Sequence, residues 1–399
     1  MKKLTLNALP VKGKKVLVRV DFNVPQNKDG SISDDTRIQA SLPTIQYILK
    51  EGGSVILMSH LGRPEGKKEL KYSLAPCAKR LSELLKKPVL FAPDCIGSEV
   101  KKMAHALQPG QLLLLENLRF HAAEEKPEKD PSFAKQLAAL GAIYVNDAFG
   151  TAHRAHSSTA TITKYFPKTA AAGFLLQKEI DFLGSAFTHP KHPFYALIGG
   201  AKISTKIGVL ESLLTKVDAL FIGGAMAYTF LKAQGISIGD SLHEDDAMEK
   251  AAHFLKKAAA KKIAVYLPLD FVVANRFSND AESKIVSIKE GIPKGWQGMD
   301  IGPKTVKEWT HEVQKAAMFF WNGPVGVFEF SHFAKGTNEM AKALADLKAT
   351  TIVGGGDSVA AISHLGLQDR FTHVSTGGGA TLEYIEFGHL PGIDALTNI

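Results

Sequence analysis

The sequence predicts an α/β protein of two domains, each a doubly wound parallel sheet covered by helices, with a helix joining them. Three observations predict it. Short, nearly uninterrupted apolar runs recur along the chain; amphipathic helical stretches separate them; and the scheme starts afresh after a break near residues 170–190. Apolar runs without polar alternation mark strands buried on both faces, as in parallel sheets with helical crossovers. Right-handed crossovers then set the layer order.

The elements follow in order. In the first half, Val16–Val20, Val55–Met58, Leu112–Leu115 and Ile143–Val145 read as strands, with amphipathic helices over Thr44–Lys50 and Leu74–Leu85. Phe174–Leu183 has the spacing of an amphipathic helix, and Pro190 and Pro193 break the chain after it. The second half repeats the scheme with Tyr195–Ile198, Ala219–Ile222, Ile263–Leu267, Met318–Trp321 and Thr351–Val353. Phe319, Phe320 and Trp321 belong to such a buried strand, not to an aromatic platform for bases. The chain has 399 residues, and at about 150 per domain that length fits two or three. The expected limits are 1–172 for the first domain, 173–187 for the linking helix and 188–384 for the second.

Composition narrows the class. Hydrophobic residues make up 45% and charged residues 22%, which excludes general disorder. Two cysteines, Cys77 and Cys95, are too few for a disulfide framework or a multi-cysteine zinc site. No stretch approaches the roughly 18–20 apolar residues of a membrane span. Met1-Lys2-Lys3-Leu4 has a basic start, but the apolar run of a signal peptide does not follow it, so a cytoplasmic protein is expected. The net charge of +8 invites a polyanionic partner. The lysines are scattered in pairs such as Lys86-Lys87 and Lys256-Lys257, without the basic tracts and interleaved aromatics of nucleic-acid binders. Neither nucleic acid nor membrane is an expected partner.

Ligands of open α/β sheets sit beyond the carboxyl ends of the strands, and there the two halves differ. In the first half those positions carry Asp21 and Asn23, then His60 and Arg63, then Arg119, then His153, Arg154 and His156, with Arg37 after the first strand. Guanidinium forks match phosphate and carboxylate oxygens, so this half is built for a small, highly anionic molecule. His60 reads as a positioning donor. His153 and His156 lack a third metal ligand nearby in sequence and read as hydrogen-bonding groups. In the second half the strand ends carry Gly199-Gly200-Ala201-Lys202, Gly223-Gly224, Gly354-Gly355-Gly356-Asp357-Ser358 and Gly377-Gly378-Gly379. Glycine lets backbone amides approach a phosphate, and Asp357 can face a magnesium ion carried by it. Lys202 and Lys206, four apart, share a helix face. Neither a Walker A motif nor the Gly-x-Gly-x-x-Gly dinucleotide fingerprint is present. Together the halves predict phosphoryl transfer across a cleft, from a nucleotide held on amides to an acceptor held by arginines.

Seven segments, in this order, resemble the phosphoglycerate kinase family: Arg19–Pro25, Ser59–Pro64, Glu116–Phe120, Gly199–Lys202, Trp321–Glu329, Gly354–Ser358 and Ser375–Ala380. The resemblance runs from about residue 4 to the C-terminus. It implies two Rossmann-like domains and reversible transfer of the acyl phosphate of 1,3-bisphosphoglycerate to ADP, giving 3-phosphoglycerate and ATP, with Mg2+ accompanying the nucleotide. It implies that Asp21, Asn23, Arg37, His60, Arg63, Arg119 and Arg154 hold the glycerate. It further implies that Lys202, Lys206, Asn322, Glu329 and Gly355, Gly356, Asp357 and Ser358 serve the nucleotide, Asp357 through its metal. Arg37, Lys206, Gly355 and Gly378 are the expected catalytic groups. A monomer that closes about a hinge is expected, with residues 385–399 packing back on the first domain. Thr381 after the glycines, Phe387 near the C-terminus and Ser157 after His156 depart from the family pattern.

The acceptor is a carboxylate, ionised at neutral pH because its ordinary pKa is about 4. No general base is then required. The obstacle is repulsion between two anions, which cations and amides aimed at the transferring group relieve: Arg37 on one side, Lys206 and the amides of Gly377–Gly379 on the other.

Overall fold

The structure is a computed structural model that describes residues 2–399. It divides into two compact units, one running to Asp181 and taking in Phe387–Ile399, the other spanning Phe182–Glu386. The helix Phe174–Thr188 carries the chain from the first to the second.

Among the described residues of the first unit, six parallel strands form one sheet: β1 (Lys15–Arg19), β2 (Ser54–Met58), β3 (Val89–Phe91), β4 (Leu112–Leu114), β5 (Ile143–Asn146) and β6 (Ala170–Ala172). Their spatial order is β3-β4-β2-β1-β5-β6. β1 lies at the centre, with Val18 opposite Leu57 on one side and Val145 on the other. All three side chains are fully buried. The chain leaves β1 toward β2 and later returns to its other edge as β5, so the topology switches beside β1, where such sheets place ligands.

The second unit holds β7 (Phe194–Ile198), β8 (Ala219–Ile222), β9 (Ala264–Tyr266), β10 (Asp270–Ala274), β11 (Ser283–Ser287), β12 (Gln297–Ile301), β13 (Met318–Asn322), β14 (Thr350–Gly354) and β15 (His373–Val374). Six of them form a parallel sheet in the order β15-β14-β13-β7-β8-β9. Read from the far edge this is the 3-2-1-4-5-6 order of dinucleotide-binding folds, with its switch between β7 and β13. Trp309, Phe221, Phe319 and Trp321 pack the core on one face. β10, β11 and β12 make a separate antiparallel sheet inserted between β9 and β13.

The α/β class is therefore correct, and the differences have physical reasons. The helix expected over Thr44–Lys50 begins at Thr36 and accommodates Pro43 in its interior. Proline there removes one backbone donor and normally interrupts a helix, which is why the spacing reads as helical only beyond it. β3 is a short, partly exposed edge strand without a continuous apolar run. β6 is three alanines, with none of the β-branched side chains that signal a strand.

Candidate functional site

The first unit gathers its polar groups at the carboxyl ends of β1, β2, β4 and β5. Arg37, in the first turn of the helix Thr36–Lys50, donates from Nη1 to Asp21 Oδ2 at 2.8 Å. The backbone N–H of Asn23 donates to Asp21 Oδ1, and Asn23 Oδ1 accepts from the N–H of Gly62 at 2.9 Å. The loops after β1 and β2 are thus laced together. Burial works against the Asp21 carboxylate, but neighbouring cations, Arg37 foremost, hold it below its ordinary pKa. Arg119 donates to the carbonyl of Gly62 at 2.8 Å and pairs with Glu125 at 3.0 Å. Arg63 and Arg154 are exposed, and among the described residues their guanidiniums make no hydrogen bond or ion pair.

His60 is buried, and its pKa is pushed well below the usual value, first by burial and then by Arg19, Arg119 and Arg37, with Asp21 opposing. Burial and then Arg19, Arg119 and Arg154 lower His156 to about 3, and burial beside Arg154 lowers His153 to about 4. Both rings are therefore neutral at physiological pH. The surroundings of His60 and His156 carry more guanidinium than carboxylate, which is the electrostatic signature of a site for an anion. Neither His153 nor His156 joins a metal-capable cluster. Among the described residues, three such side chains converge only at Asp94, Cys95 and His121. There, His121 Nε2 and Asp94 Oδ1 are already paired at 2.7 Å.

Arg19, Ser158 and Glu124 are functional neighbours that the sequence reading missed. Arg19 is the last residue of β1 and is 1% exposed. Its signal was visible: a charged residue within an otherwise apolar run.

In the second unit the glycines after β13 and β14, with the turn before the helix Gly379–Phe387, line a cavity of about 160 Å³. That is far more than the roughly 10–15 Å³ one water needs. Lys206, Asn322, Asp357 and Leu382 supply its side chains, and Gly323, Gly355, Gly356, Gly378 and Gly379 its backbone. Lys206 Nζ donates to Asn322 Oδ1 at 2.7 Å. Burial pushes the Lys206 pKa down to about 8, with Asp357 opposing. Asn322 is 2% exposed, and its Nδ2 has no partner among the described residues. A buried donor left without an acceptor in a polar cavity is an opening for an anionic oxygen.

Two glycines are required by geometry. Gly355 has φ +93°, and a Cβ there would lie 2.8 Å from Asn322 Nδ2. Gly323 has φ +92°, and a Cβ there would lie 2.3 Å from the carbonyl oxygen of Gly199. Asp357 is exposed in the first turn of the helix Gly356–His364, and among the described residues it makes no hydrogen bond or ion pair. Its free carboxylate suits a hard divalent cation. Ser358 points the other way: it is fully buried and its Oγ accepts from the N–H of Gly323 at 2.6 Å. Lys202 and Glu329 are exposed and do not line the cavity.

Comparison with known proteins gives the family. The phosphoglycerate kinase family model matches residues 6–387. A phosphoglycerate kinase of Chloroherpeton thalassium is 56% identical over the whole of both chains. A cytosolic phosphoglycerate kinase of Triticum aestivum is 54% identical, covering 98% of this chain and 97% of the relative. Among solved structures, phosphoglycerate kinase from Coxiella burnetii superposes with a TM-score of 0.86 at 42% identity, covering 98% of each chain. That from Pyrococcus horikoshii superposes with 0.83 at 34%, again covering 98% of each. With a family match over nearly its full length, full-length relatives above half identity and two unlike sheets of the matching fold, this chain belongs to the phosphoglycerate kinase family.

Proposed function

We propose that the first unit binds 3-phosphoglycerate and 1,3-bisphosphoglycerate at the ends of β1, β2, β4 and β5, and that the cavity of the second binds ATP or ADP with Mg2+. The activity is that of the family: a glycolytic kinase whose acceptor is a carboxyl group. What this reading adds is the residues. The observation that carries it is the pairing of Lys206 with a buried Asn322 whose Nδ2 lacks an acceptor, in a cavity walled by backbone amides.

In this reading Arg63 and Arg154, whose guanidiniums are free, take the substrate's phosphate, while Asn23, His60 and Arg119 orient the glycerate. Asp21 holds Arg37 so that its remaining donors face the reacting carboxylate. Lys206, Asn322 Nδ2 and the amides of Gly355, Gly356 and Gly378 hold the nucleotide phosphates and draw charge off the group in flight. Asp357 holds the metal, which when bound neutralises charge on the phosphate oxygens. Ser358 supports the site from beneath. Lys202 and Glu329 join as outer contacts to the nucleotide. In-line transfer needs both ligands aligned and water excluded, so the reading includes closure of the two units on their substrates. It also includes a monomer acting in the cytoplasm. The wheat relative is named cytosolic, and no described helix is long and apolar enough to cross a membrane.

A coupled assay of ATP-dependent phosphorylation of 3-phosphoglycerate tests the reading. Turnover that requires Mg2+ and collapses in Arg37→Ala and in Lys206→Ala supports it. Unchanged activity in either variant overturns the corresponding role.

A further inference from the structure

A charged side chain buried at the end of a central strand needs a reason. Each nitrogen of the Arg19 guanidinium makes a contact inside the unit. Nε donates to Ser158 Oγ at 2.9 Å, Nη1 to the carbonyl of Val20, and Nη2 lies 3.3 Å from His60 Nδ1. Ser158 Oγ passes the contact on by donating to Glu124 Oε1 at 2.6 Å, while its N–H donates to Oε2 at 3.0 Å. Glu124 is fully buried. Arg19 and Glu124 are therefore a buried charge pair bridged by a hydroxyl. Such pairs seldom stabilise a core better than well-packed apolar residues would.

What the pair does accomplish is chemical. A guanidinium donates and never accepts. The imidazole nitrogen facing Arg19 Nη2 must then present a lone pair, so the ring hydrogen sits on Nε2. The other cationic groups around the ring act in the same sense. Arg37 comes from the helix Thr36–Lys50, Arg119 from the loop after β4, and Asp21 alone opposes them, its Oδ1 3.9 Å from Nδ1.

We propose that Arg19 is a positioning residue for the kinase reaction. It locks His60 as the neutral imidazole with its hydrogen on Nε2, so that His60 offers substrate oxygens a fixed donor and takes no part as acid or base. This rests on the reading of His60 as a substrate contact.

Two-bond 1H–15N correlation spectra of the full-length protein, with His60 assigned through His60→Gln, test the lock directly. Between about pH 5 and 8, His60 is expected to keep Nδ1 unprotonated and Nε2 protonated. A ring protonated at Nδ1, or titrating in that range, overturns the proposal without any variant. The double variant Arg19→Met/Glu124→Gln removes both buried charges together and avoids stranding either. It is expected to raise KM for 3-phosphoglycerate about tenfold, the worth of one oriented hydrogen bond, with kcat little changed. Its pH profile should also carry an acid limb at higher pH than the wild type's, still below the ordinary histidine pKa because burial, Arg119 and Arg37 remain. A normal KM and a pH profile that superimposes on the wild type's in that variant overturn the positioning role. If instead His60→Gln leaves KM unchanged while the wild-type spectra show the lock, it is His60's contact with substrate that fails.

Discussion

The Lys206 ammonium reaches Asn322 Oδ1 at 2.7 Å, tying the start of the helix Ile207–Leu213 to the end of β13. The bond fixes the amide's orientation, leaving Nδ2 toward the cavity side of Gly355. Replacing Lys206 by Met releases Asn322 and, on the function proposed above, removes one donor to the transferring phosphate. The expected loss in kcat is about 10²–10³, as for other single donors to a developing anion, measured at saturating substrates. Because burial lowers the Lys206 pKa to about 8, its positive charge fades as pH rises through that value. The wild-type Kd for ADP should therefore rise above about pH 8, and Lys206→Met should lack that rise. Titration calorimetry across the range checks it.

Ser358 supports the same corner from behind. In Ser358→Ala the buried N–H of Gly323 loses its acceptor. An unsatisfied buried donor costs about 1–3 kcal/mol, which urea unfolding should register. KM for ATP should rise with it, while KM for 3-phosphoglycerate stays put.

On the substrate side, Arg37→Lys should not rescue Arg37→Ala. A lysine can replace the charge but cannot hold Asp21 with one arm and offer further donors in a plane. Both variants should lose kcat/KM for 3-phosphoglycerate by about 10²-fold or more. Raising ionic strength should also raise that KM in the wild type, since the charges of exposed Arg63 and Arg154 are open to screening.

Asp147 bears on stability. Its carboxylate is fully buried and accepts the N–H groups of Leu175 and Leu176 at the start of the helix Phe174–Thr188. Burial raises its pKa from 3.8 to about 6, with those hydrogen bonds opposing. A raised carboxyl contributes stability that is complete below the unfolded value and is lost as pH climbs through the folded one. The shift of about 2 units corresponds to about 3 kcal/mol. Measured as wild type minus Asp147→Asn in urea, stability should fall between about pH 4 and 7 and then level. A flat difference would show that Asp147 titrates normally.

Much of this was readable in the residues, because parallel strands such as β1, β2 and β13 must be apolar on both faces and so announce themselves. The glycines after β13 and β14 were readable for a related reason: a strand end that approaches a ligand with its backbone cannot carry side chains. The inserted antiparallel sheet was not readable. β11 exposes Ser283, Lys284 and Ile285 and buries Val286, so its signal is neither a continuous run nor a clean alternation. In the site, the exposed arginines could be placed from their positions after strands. The inward turn of Ser358 and the buried relay from Arg19 through Ser158 to Glu124 depend on contacts up to 139 residues apart in the chain, which no local spacing encodes.

The C-terminal segment is stitched into the first unit. Leu4 N–H donates to the Thr397 carbonyl, Thr397 N–H to that of Ala170, and Asn146 Nδ2 to that of Gly392. The second unit is thus an insertion within the first, entered at one covalent crossing and left at a second. Two covalent crossings mean that a single cut at either one leaves the two halves joined through the other. A nick in the linking helix therefore does not free the inserted half; both crossings must be severed before the units part.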